Sequence, residues 1–109
     1  EGLALGAEEQ QRLVLNLGSL DGLILENHGT LTVGRSVAEA FMLMHVLERA
    51  AQAQLHAMAA TGGPIAVASD ELASRTYRQW VGDGSEWDGD LEWPALVRRL
   101  DRQTTDYRN

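Results

Sequence analysis

The chain carries three histidines and no cysteine, which excludes disulfides, thiolate nucleophiles and Cys-type zinc sites. Imidazole chemistry therefore comes first. His28 is the best placed of the three. It lies in Leu23-Ile24-Leu25-Glu26-Asn27-His28-Gly29-Thr30-Leu31-Thr32-Val33, a pattern of short apolar strand, tight turn and second strand. Asn27 and Gly29 both tolerate positive φ, which a tight reversal requires. A ring on such a turn is fixed by both flanking ladders, and neutral imidazole is a usual zinc ligand. The same residue types also suit a turn histidine that only hydrogen-bonds locally. One imidazole does not complete a catalytic zinc site, which takes three protein ligands. Asn27 and Gly29 read as turn chemistry and Glu26 as a strand-edge charge.

The remaining polar clusters carry less. His45 and Glu48 stand at i and i+3 with no further ligand nearby in sequence, and they read as a polar seam with Arg49, Gln52 and His56. Gly34-Arg35-Ser36 has the look of an anion-binding helix start but lacks a glycine-rich cradle, so it reads as an ordinary cap. No nucleophile elbow, P-loop or dinucleotide fingerprint occurs. The catalytic residues are unknown from the sequence.

Several elements must position His28. Ala7 to Leu17 is expected as a helix, opened by Glu8 and Glu9 and closed by Gly18. Ser36-Val37-Ala38-Glu39 matches a capping box, in which Glu39 reaches back to the cap residue. The helix it opens runs to about Ala60, before Gly62-Gly63-Pro64. Val37, Ala40, Met44, Leu47, Ala51, Leu55 and Met58 fall on one side of it, and Met42, Val46, Ala50, Ala53 and Ala57 on another. A helix apolar on two sides is expected to be buried on two sides. Ile65 to Val67 suggests a short strand, and Ser69 caps a helix over Asp70 to Val81. Gly82 to Asp90 reads as a loop, Trp93 to Leu100 as a last helix with Pro94 in its first turn, and Thr104 to Asn109 as a tail. Trp80, Trp87 and Trp93 are expected to dock the C-terminal segment.

At 109 residues the chain can build one small domain, and it begins with Glu1 in sequence that already looks folded, as a fragment would. Its formal net charge is −7, from 16 acidic and 9 basic residues, and no basic stripe interleaves with aromatics. Nucleic acid and membrane partners are not expected. No stretch approaches the roughly 20 uncharged apolar residues of a membrane helix. Lack of cysteine fits a reducing, cytoplasmic setting.

The segment from Gly2 to Ala60 resembles the C-terminal half of class II aldolase/adducin domains. Asn-His-Gly, Thr-Val-Gly-Arg and the capped Ala-Glu-Ala-Phe occur there in order, as do Leu47-Glu48-Arg49-Ala50 and an ending similar to Leu91–Arg102. The resemblance implies an α/β fold, the C-terminal half of a three-layer α/β/α domain built of short strands and a long capped helix. On that reading residues 1–90 are a partial domain whose N-terminal half is missing, and 91–109 are its C-terminal helix and tail. It implies His28 as one ligand to zinc, or another divalent metal, with a His-x-His pair and an acidic residue supplied upstream. Zinc would polarise a carbonyl and stabilise an enediolate in a lyase or epimerase acting on a small sugar phosphate or related hydroxy-carbonyl. The resemblance also implies a homo-oligomer, often a tetramer, and an isolated 109-residue chain without activity. The alternative it carries is a non-catalytic, adducin-like interaction module.

Overall fold

The computed structural model describes residues 6–81 and 89–108. Along the chain run α1 (Ala7–Leu17), β1 (Gly22–Leu25), β2 (Gly29–Thr32), α2 (Val37–Thr61), α3 (Asp70–Val81) and α4 (Glu92–Asp101), followed by a 3-10 turn at Asp106–Arg108. The architecture is mixed α/β.

Local chemistry accounts for most boundaries. Ser36 is extended (φ −140°), and its Oγ accepts the Glu39 N–H at 3.1 Å, satisfying a donor that the first turn leaves open. Gly62 closes α2 in the left-handed conformation (φ 62°, ψ 15°). Ser69 caps α3 by accepting the Leu72 N–H at 3.2 Å. Replacing Ser36 with alanine should destabilise the fold by about 1 kcal/mol, and with glycine by only a few tenths. Urea unfolding midpoints of the two variants check this.

Some expectations differ from the structure. Glu39 does not reach back to Ser36. Its carboxylate accepts instead from the Arg35 N–H and guanidinium (Nη2 at 3.0 Å), a charge-assisted pairing one residue further upstream. Ile65 to Val67 is irregular, because the sheet of the described residues has two strands and offers this segment no ladder. Within the expected tail, Asp106–Arg108 form a 3-10 turn. There Asp101 accepts from the Tyr107 hydroxyl and pairs with Arg108 Nη2 at 2.6 Å.

The two strands are antiparallel, pairing Gly22 with Thr32, Leu23 with Leu31, Ile24 with Thr30 and Leu25 with Gly29. Alternation puts Gly22, Ile24, Thr30 and Thr32 on one face; its threonines meet α2, while Ile24 is 74% exposed. Thr32 Oγ1 donates to the Ala40 carbonyl at 2.8 Å, and Thr30 Oγ1 lies 3.1 Å from Met44 Sδ and 3.2 Å from Glu48 Oε1. The strand thus runs antiparallel to the helix. Two strand residues, about 6.8 Å, match slightly more than one helical turn of about 5.4 Å.

On another side, α2 receives the approach to α4. Gly89 (φ 83°) sits so close that a Cβ there would lie 2.8 Å from the Ala38 carbonyl oxygen. Trp93 packs edge-on against Phe41, with ring centroids 5.3 Å apart. Of the three tryptophans expected to dock the C-terminal segment, Trp93 does so. The Trp80 side chain, Trp87 and most of the expected 82–90 loop lie outside the described residues.

Ala38 and Met42 are the buried apolar side chains of this small core. In the first half of α2, Met42 is buried and Ala40, Met44, Val46 and Leu47 are half-buried, so the expected two-sided burial is partial, with Val37 71% exposed. Beyond Ala51 every α2 residue is exposed, including Leu55 at 64% and Met58 at 45%. Neither the hairpin nor α4 reaches that far. No helix of the described residues is long and apolar enough to cross a membrane.

Candidate functional site

The β1–β2 turn comprises Glu26, Asn27 and His28, between the paired Leu25 and Gly29. The His28 N–H donates to the Leu25 carbonyl at 3.2 Å, closing a four-residue turn. Asn27 at its third position has φ 57°, the positive value a type II geometry demands there. Gly29 follows at φ 132°, a value side-chain-bearing residues rarely adopt. Positive φ on both sides of His28 fits the turn chemistry expected of Asn27 and Gly29. His28 itself is exposed, with its backbone fixed by the turn and ladder.

The stripe expected along α2 divides. Glu48 is an acceptor for Thr30, while His45 and His56 are exposed. Among the described residues no group of three or more His, Asp or Glu side chains could hold a metal ion. The structure therefore does not bring His45 and Glu48 together with His28 as a ligand set. His28 fits a metal as a single imidazole donor. A complete site needs donors beyond these residues.

Gly34-Arg35-Ser36 is an ordinary cap. The groups that would receive an anion are used by the chain itself, since the Glu39 carboxylate takes Arg35 and Ser36 takes the Glu39 N–H. Hydrogen bonds from the Arg35 side chain, and then from its backbone N–H, hold the Glu39 carboxyl below its ordinary value of 4.5. A lowered carboxyl pKa gives stability that is present above the unfolded value and is lost as pH falls through the folded one. The stability difference between wild type and Glu39→Gln should accordingly be small, as befits a surface pair. It should be present near neutrality and vanish in acid, as urea titrations at a series of pH values will read.

Thr30 and Thr32 were not singled out in the sequence as functional. The available signal was a Thr-Leu-Thr alternation just before a capped helix, which places two hydroxyls on one strand face.

The sequence profile of the Class II Aldolase and Adducin N-terminal domain matches residues 3–55. A Pseudomonas aeruginosa protein whose name assigns it provisionally to aldolase class 2 is 40% identical over 99% of this chain and 42% of its own length. Rat alpha-adducin is 36% identical over 92% of this chain and 15% of its own. The crystal structure of an aldolase II superfamily protein from Pseudomonas syringae superposes with a TM-score of 0.78 at 38% identity. It covers 100% of this chain and 43% of that one. The chain thus spans about two-fifths of these bacterial relatives.

Proposed function

Because this chain belongs to the class II aldolase/adducin family, we propose that it is part of a zinc-dependent, aldolase-like lyase or epimerase acting on a small sugar phosphate or related hydroxy-carbonyl compound. The observation that carries this reading is the exposed His28, held on a turn with positive φ on both sides. Such a residue gives a metal a ligand whose backbone is already ordered, which lowers the entropic cost of binding. In this reading the remaining donors and the acid/base residue lie elsewhere in the full-length protein. The 109-residue chain alone is inactive, since one imidazole cannot shape a three-ligand site.

Zinc, or another divalent cation in its place, supplies Lewis-acid polarisation of the substrate carbonyl when bound. His28 holds the metal and moves no proton. Its turn keeps the backbone N–H engaged with the Leu25 carbonyl, and the imidazole is the donor this reading assigns to the metal. The inferred setting is a three-layer α/β/α domain in a cytoplasmic homo-oligomer, a homotetramer in the simplest case.

The exposed second half of α2 and the similarity to alpha-adducin favour a second reading, a non-catalytic oligomeric interaction module. Metal content separates the two. After dialysis against metal-free buffer, the full-length protein should retain about one zinc per chain, which His28→Ala loses without a change in oligomer size. Absence of metal from the wild type as well would favour the interaction module.

A further inference from the structure

We propose that Glu48 is a positioning residue for His28, acting through Thr30. The proposal rests on the reading of His28 as a metal ligand. Thr30 is two residues beyond His28 and pairs with Ile24, so it belongs to the first rungs of the ladder above the turn. Its hydroxyl sits between two acceptors on α2, Glu48 Oε1 at 3.2 Å and Met44 Sδ at 3.1 Å. A carboxylate is the far stronger acceptor of the two. Thr32 makes the next anchor, to the Ala40 carbonyl at 2.8 Å. Without Thr30, the nearest anchor on this strand is four residues from His28. With it, the turn is tied to the most regular element of the fold.

The tie also explains what Glu48 does on an exposed helix surface. Among the described residues the carboxylate pairs with no cation and joins no metal-binding cluster, and its partner is the Thr30 hydroxyl of the hairpin. Groups that hydrogen-bond a ligand directly typically change metal affinity by 10–100-fold when removed, and Thr30 and Glu48 act on His28 only through the hairpin backbone. The effect expected here is at the lower end, because the bond is open to water and Met44 remains as an alternative acceptor.

The test uses the full-length protein with Thr30→Val, Glu48→Ala, Glu48→Gln and the Thr30→Val/Glu48→Ala double variant. Two quantities are measured: hydrogen exchange of the His28 amide in the metal-free protein, and zinc affinity by competition with a chromogenic chelator. Thr30→Val and Glu48→Ala should each speed His28 exchange and weaken zinc by about tenfold. The double variant should be no worse than Thr30→Val, and Glu48→Gln, which keeps an acceptor oxygen, should restore most of both. Unchanged His28 exchange in Thr30→Val and Glu48→Ala would overturn the proposal, whatever the zinc result. A wild type that binds no zinc would instead overturn the reading of His28 as a ligand, and faster exchange in the variants would still establish the tie.

Discussion

Gly89→Ala should lower the stability of the full-length protein by about 2–4 kcal/mol, combining an overpacked contact with an unfavourable backbone. Both parts are visible at this residue. The new Cβ would lie 2.8 Å from the Ala38 carbonyl oxygen and 2.9 Å from its carbon, and these are backbone atoms inside the first turn of α2. They cannot swing aside as a side chain does. The φ of 83° adds strain for any residue with a Cβ. Gly62→Ala is the matched control. Its φ of 62° is also positive, but a Cβ there meets nothing within 4 Å, so about 1 kcal/mol is expected. Urea unfolding of the two variants separates steric from conformational cost. Equal losses would mean that α4 does not rely on its seat against Ala38. A further sign is the Phe41–Trp93 contact, whose near-UV circular dichroism should be lost in Gly89→Ala and kept in Gly62→Ala.

The second large effect concerns the turn itself. Gly29→Ala should cost about 1–3 kcal/mol and, if His28 binds zinc, weaken that binding by tenfold or more. No atom stands within 4 Å of the position a Cβ would take, so the whole effect comes from φ at 132°. An alanine would relieve that strain by rotating the backbone next to His28. Asn27→Gly provides the contrast. Position 27 already has positive φ (57°), which glycine accepts freely, so both stability and metal affinity should stay near wild type. Calorimetry with zinc on the two variants would separate them. Equal affinities would show that the ring's placement is insensitive to the turn backbone.

What could be read from the residues divides by sequence distance. Ser36, Ser69 and Gly62 act on their own helices, and each helix begins or ends where these residues indicate. The hairpin was legible for the same reason, because Asn27-His28-Gly29 interrupts two β-rich runs within a few positions. The residue pattern suggests a second strand over Thr30 to Val33, and the structure has it one residue earlier, at Gly29–Thr32. Contacts between elements were not legible. Nothing in the periodicity of α2 distinguishes its covered first half from its exposed second half, since both carry alanine, leucine and methionine at the same spacing. Which half is covered depends on where the hairpin and α4 end. Similarly, Glu48 looks like any charge on a polar stripe until Thr30 is placed across from it. The Asp101–Tyr107–Arg108 clasp needs a chain reversal that no single residue type announces.

The two attachments of α2 differ in how the chain must reach them. The threonine bonds join residues separated by 8 to 18 positions, whereas the Gly89 seat on Ala38 closes a span of about fifty. Loop-closure entropy grows with the logarithm of the span, and short-range contacts form first. The hairpin and the start of α2 therefore make a natural early folding unit, with α4 closing afterwards. On that order, mutations at Thr30 or Thr32 slow folding, while those at Gly89 chiefly hasten unfolding.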